Sequence, residues 1–189
     1  MSRDIAQRHI IIPALGEIFR ENGFAGTSLA EITYRTGLGK GSLYHFFPKG
    51  KKEMAEVVLD DVASWFEENV FLPLLECKNP KHGIQIMFKA VDDYFYSGER
   101  ICLIGAFSLD DTRDQFASKL NSYFTSWNEA LTSALKRNGL ANKQAKDIAE
   151  DVVASIQGAL VLARSQDNPK VFTRALKRLQ RRIETSIHE

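Results

Sequence analysis

Thr27-Ser28-Leu29-Ala30-Glu31-Ile32, followed by Gly37-Leu38-Gly39-Lys40-Gly41-Ser42-Leu43-Tyr44-His45-Phe46-Phe47, is the stretch on which the fold turns. Thr27 or Ser28 stands three or four residues ahead of Glu31, the spacing at which a hydroxyl and an acid cap the start of a helix. That helix is expected to stop by Gly37, because glycine accepts the left-handed conformation of a helix end. Leu38-Gly39 then makes a tight turn, and a third short helix is expected from about Lys40 to Phe46, with Leu43 and Phe46 pointing into a small core. Two short helices joined by a glycine-containing turn, stiffened by the helix that carries Phe19, match helix-turn-helix geometry.

The residue types in this stretch suit a polyanion. The hydroxyls of Thr27 and Ser28 at a helix N-terminus form a natural phosphate site. Gly39 and Gly41 allow another molecule close to the backbone, while Ser42, Tyr44 and His45 offer polar edges. Lys40, Lys49, Lys51 and Lys52 supply positive charge for phosphates. Residues 1–52 hold eight Lys/Arg against four Asp/Glu, a net +4, whereas the rest of the chain holds 17 against 20, a net −3. A basic head on a mildly acidic body fits a nucleic-acid-binding module joined to a part with other work.

Outward from this block the periodicity is helical almost throughout, and strand-like alternation is missing. A first helix is expected over about residues 3–22, with Ile11, Leu15, Ile18 and Phe19 on one face. Pro13 should kink or restart it, and Gly23 should stop it. Pro48 and Gly50 precede a long helix over about residues 51–75, bent near Pro73. Further helices are expected over about 81–96, 101–109, 113–138, 143–165 and 169–187, the first of them broken by Ser97-Gly98. The fold class is therefore all-α, with about nine helices. Residues 1–50 are expected to form a three-helix nucleic-acid-binding head joined to a helical bundle, residues 51–189.

Composition excludes several other classes. Of the 189 residues, 44% are hydrophobic and 26% charged, a globular balance. No apolar run approaches the roughly 20 residues of a membrane span, and no secretory leader pattern appears, so a cytoplasmic protein is expected. The two cysteines, Cys77 and Cys102, lack CxxC or histidine spacing, which argues against a disulfide framework or zinc site. The four histidines are scattered, and no HExxH, GxSxG or glycine-rich phosphate loop is present. No enzyme, cofactor or metal is expected.

The Lys40-Gly41-Ser42-Leu43-Tyr44-His45-Phe46-Phe47 run, with Thr27-Ser28 and Ile32 before it, resembles the DNA-binding domain of the TetR family of bacterial regulators. Pro48-Lys49-Gly50-Lys51-Lys52-Glu53 resembles the variant with a longer, glycine-containing approach to the fourth helix. Pro13 and Tyr34-Arg35 depart from the family pattern. The resemblance implies that the third helix enters the major groove of a palindromic, double-stranded operator. By it, Lys40, Thr27 and Ser28 become phosphate or groove-edge contacts, and Gly41 and Ser42 lie near bases. Tyr44 and His45 become backbone or base contacts, and Lys49 and Lys52 phosphate contacts. The resemblance also implies a small, often apolar or aromatic, effector.

In the body, Cys102 to Phe107, Trp127 and Gln157-Gly158-Ala159-Leu160 resemble one large subgroup of that family. The middle of the chain is rich in aromatic residues, as pockets between bundled helices are. Phe88, Phe95, Cys102, Phe107, Tyr123 and Trp127 are the candidate effector contacts. Cys102 is also a candidate sensor thiol for an electrophile. Apolar stripes at Ile148, Val152, Ile156 and Leu160, and at Phe172, Leu176, Leu179 and Ile183, are the candidate surfaces of a homodimer. The leading expectation is a repressor released from its operator by a small molecule. A helical adaptor that does not bind DNA, or an enzyme, is the alternative of another class.

Overall fold

The computed structural model describes residues 2–188, with side chains described at position 8 and from 10 to 187. Among the described residues there are nine helices and no strand. They are α1 (Ser2–Gly26), α2 (Leu29–Thr36), α3 (Lys40–Phe46), α4 (Lys51–Phe66), α5 (Pro80–Tyr94), α6 (Leu103–Ser108), α7 (Ala117–Arg137), α8 (Asn142–Ser165) and α9 (Lys170–His188). A π-helical turn, Glu67–Phe71, and a last segment, Leu72–Glu76, continue α4 without interruption.

Two punctuation residues act differently from expectation. α1 passes through Pro13 with helical backbone angles, and its non-helical residue is Gly23 (φ 67°, ψ 175°). Pro13 lies on the solvent face, so the carbonyl it leaves without an N–H partner opens to water and no break is forced. Near Pro73 the expected bend takes the form of the π turn just ahead of it, where the N–H of Leu72 reaches back to the carbonyl of Glu67. The wider turn re-registers the helix before the residue that cannot donate.

The chain forms two compact units, residues 1–63 with 103–120, and residues 64–102 with 121–189. In the first, α1 buries Ile11, Leu15, Ile18 and Phe19, as its period requires, and Ile32, Leu43, Met54, Val58 and Leu59 are buried in the same unit. Phe24, Phe107 and Phe116 join Phe19 in an aromatic cluster whose ring centroids lie 5.0–6.1 Å apart. Of the two consecutive phenylalanines, Phe47 and not Phe46 fills the core. Phe47 is fully buried one helical turn after Leu43, while Phe46 is only half-buried.

The second unit is organised around Phe66, whose ring meets Tyr94 (4.8 Å), Tyr123 (5.0 Å), Trp127 (5.4 Å), Phe71 (6.1 Å) and Phe95 (6.2 Å). The Trp127 Nε1–H donates to Met87 Sδ at 3.5 Å. Arg137 closes the end of α4 by donating to the carbonyls of Cys77, at 3.0 Å, and Leu74. The turn after α5 is forced, with left-handed backbone at Tyr96, Ser97 and Gly98 (φ 48°, 54° and 102°).

The two apolar stripes proposed as a dimer surface pack inside this chain. Ile148, Val152, Ile156, Leu160, Phe172, Leu176, Leu179 and Ile183 are all buried where α8 and α9 meet their own unit, so they have no surface to offer a partner. An amphipathic stripe identifies a buried face, and here the burial is intramolecular.

Candidate nucleic-acid interface

Local chemistry sets both short helices. Ser28 is the N-cap of α2, its Oγ accepting from the N–H of Glu31 at 3.0 Å. Gly37 ends α2 in the left-handed conformation (φ 69°), its N–H donating to the carbonyl of Thr33 at 3.0 Å. Gly39 precedes α3 without a side chain to cap it. Ser28 is exposed, and its hydroxyl hydrogen is left to donate outward.

Its neighbour Thr27 has another job. It is buried, and its Oγ1–H donates to the carbonyl of Gly23 at 2.6 Å. Thr27 therefore closes the α1–α2 corner, which corrects its assignment to a phosphate. Lys51 is likewise taken: its Nζ donates to the carbonyls of Phe24 and Thr27, both at 2.8 Å, and lies 4.5 Å from the centre of the Phe24 ring. A lysine that satisfies carbonyls at a helix end serves the fold. Glu53 anchors the start of α4, accepting from the Lys49 N–H at 2.9 Å and from Arg8 at 3.0 Å.

The surface that remains is polar and cationic. Lys40, Gly41, Ser42, His45, Lys49 and Lys52 are exposed, and Tyr44 is 47% exposed. Gly50, held at φ 66°, forms the seat for the Tyr44 ring: a Cβ there would lie 3.3 Å from Tyr44 Cε1. The His45 ring packs edge-on against Phe46, 5.4 Å between centroids.

Gly41 is informative for the opposite reason. It lies inside α3, and a Cβ built on it would meet nothing within 4 Å. Its own fold does not need glycine there, and glycine costs a helix interior about 1 kcal/mol relative to alanine. The space suits another molecule's close approach. Gly41→Ala is expected to leave thermal stability unchanged or slightly raised, checked by melting curves.

The candidate effector residues divide between the units. Phe107 belongs to the first, in the cluster with Phe19, Phe24 and Phe116. Phe95, Tyr123 and Trp127 meet around Phe66 in the second. Phe88 borders a cleft of about 350 Å³ with Gln85, Asp92 and Leu176. The Tyr123 hydroxyl is buried without a hydrogen-bond partner, and burial, with smaller effects of Cys102 and Tyr94, raises its pKa well above the phenol range. Cys102 is 7% exposed. Phe66, the hub of this cluster, is not singled out by sequence because four of its ring partners, Tyr94, Phe95, Tyr123 and Trp127, are distant along the chain.

Among the described residues no group of His, Cys, Asp or Glu is placed to hold a metal ion, and no helix is long and apolar enough to cross a membrane. Residues 11–58 match the family described as bacterial regulatory proteins, tetR family. Residues 80–178, more than half of the chain, match the family described as transcriptional regulator LmrA/YxaF-like, C-terminal domain. The chain is 25% identical over 165 residues to the HTH-type transcriptional regulator LmrA of Bacillus subtilis (strain 168), covering 85% of this chain and 88% of that one. It is 25% identical over 176 residues to the HTH-type transcriptional repressor DhaR of Mycobacterium sp. (strain GP1), covering 89% and 87%. Its fold superimposes on a TetR transcriptional regulator from Chloroflexus aurantiacus J-10-FL with TM-score 0.80 at 22% identity, covering 97% of both chains.

Proposed function

This chain belongs to the TetR family of bacterial regulatory proteins and is a transcriptional regulator, not an enzyme; from that premise we propose that it is a cytoplasmic, ligand-responsive repressor. The single observation behind the DNA-binding part is the exposed face of α3, which gathers Lys40, Gly41, Ser42, Tyr44 and His45 on one polar, cationic surface. Ser28, Lys49 and Lys52 flank that face as phosphate contacts. Functionally, residues 1–50 read DNA and residues 51–189 sense and dimerise.

The operator is a palindrome read by a homodimer, its half-sites about 34–36 Å apart or a multiple of that. The solvent face of α8 is the dimer surface that burial leaves available. Ala154 and Gly158 are exposed there with Val161 (59%) and Leu162 (49%), and a Cβ on Gly158 would meet nothing within 4 Å. Gly158→Arg is expected to give a folded monomer in sedimentation and a loss of operator affinity of about 100-fold or more, since two half-sites no longer bind as one. A variant that still sediments as a dimer places the interface elsewhere.

The effector is a small apolar or aromatic molecule that enters the cluster around Phe66, with Phe95, Trp127 and the unpartnered Tyr123 hydroxyl as its contacts and Phe88 at the margin. It acts by binding the DNA-free state better than the bound one. The burial of Cys102 disfavours a sensor thiol, which needs access. Footprinting of the region upstream of its own gene tests the reading. A protected palindrome that small aromatic compounds release supports it, and an unprotected region contradicts it.

A further inference from the structure

The break in α1 at Gly23 bares the N–H groups of the residues just after it, as the first turn of any helix does. The carboxylate of Asp110, from the loop after α6, faces them. Its Oδ2 accepts from the Ala25 N–H at 3.4 Å, and the Phe24 N–H also bonds the carboxylate. Its Oδ1 accepts from the Thr112 N–H at 2.8 Å and from the Thr112 hydroxyl, which fixes the group from behind. Burial raises the Asp110 pKa, but these bonds from Thr112, Ala25 and Phe24 outweigh it and hold the carboxyl below its ordinary range. Gly23 fits the same contact, since a Cβ there would lie 3.3 Å from Asp110 Oδ2.

What the carboxylate holds is the corner that aims the helix-turn-helix. Phe24 and Thr27 provide the carbonyls that bind Lys51, Thr27 ties back to Gly23, and Ser28 begins α2. Phe107 and Phe116, from the same segment as Asp110, pack on Phe24 at 6.1 and 5.0 Å. That segment, residues 103–120, belongs to the first unit, yet at both ends it continues directly into the chain of the second, at Cys102 and Asn121.

We propose that Asp110 is a positioning residue for operator binding: its carboxylate clamps the α1–α2 corner in the DNA-binding pose, and loss of that carboxylate lowers operator affinity. The proposal rests on the repressor reading above. It also predicts a sign. Removing an acid from the DNA-binding unit would by charge alone tighten binding to a polyanion, whereas losing a clamp weakens it.

The test uses the full chain as wild type, Asp110→Ala and Asp110→Asn, with operator titrations across salt and amide hydrogen exchange at Phe24 and Ala25. Asp110→Ala is expected to speed exchange at both amides about tenfold and weaken operator binding about tenfold at an unchanged salt slope, as loss of charge-assisted hydrogen bonds allows. Asp110→Asn, which keeps an acceptor oxygen, should recover affinity to within about threefold of wild type. Faster exchange with unchanged or tighter operator binding overturns the proposal, as does an Asp110→Asn variant no better than alanine. If wild type binds no operator, the positioning role falls with the repressor reading; the exchange rates still report whether the clamp exists.

Discussion

Lys40→Glu is expected to lower operator affinity by about 100-fold or more while leaving the helical content and melting temperature within error of wild type. Lys40 is the first residue of α3 and is exposed, so the fold loses nothing when it is changed. A hydrogen bond to a charged group contributes about 1.5–3 kcal/mol, and a glutamate adds repulsion from the phosphates to that loss. The salt dependence reports the mechanism separately: the slope of log affinity against log salt should become shallower by about one for the lost phosphate contact. Unchanged affinity would mean that α3 does not face the DNA.

Phe66→Ala is expected to destabilise the protein by about 3–5 kcal/mol, the usual cost of removing a buried aromatic side chain. Phe66 is fully buried and meets six rings, those of Trp65, Phe71, Tyr94, Phe95, Tyr123 and Trp127. With so many rings packed on it, the neighbours cannot all collapse into the space it leaves. Denaturant unfolding measures the loss, and a change under about 1 kcal/mol would contradict the central role given to this residue. Because the same rings are the proposed effector contacts, a variant that remains folded should also respond more weakly to any compound that releases wild type from DNA.

Legibility in the sequence followed the range of the interactions. The bounds of α2 and α3 were readable because Ser28, Gly37 and Gly39 act on their immediate neighbours, and caps are short-range chemistry. The choice between Thr27 and Ser28 was not, since adjacent hydroxyls look alike until one is turned inward to the Gly23 carbonyl. Lys51 reads as one more phosphate lysine, and only the folded corner shows the two carbonyls that occupy it. Phe46 and Phe47 were confused because a seven-residue helix gives periodicity too few turns to fix a face. Phe107 and Trp127 both read as candidate effector contacts, yet each joins a different cluster. The stripes on α8 and α9 announced burial correctly, while the partner that buries them is a tertiary fact no amphipathic pattern contains.

The most direct test of the central claim, that the exposed face of α3 reads a specific operator, compares two duplexes. Anisotropy titration at physiological salt should show the protein binding the upstream region of its own gene at least about 10³-fold more tightly than a scrambled duplex of the same length, the ratio that separates specific from non-specific complexes. Equal affinity for the two duplexes, falling with salt in the same way, would contradict it.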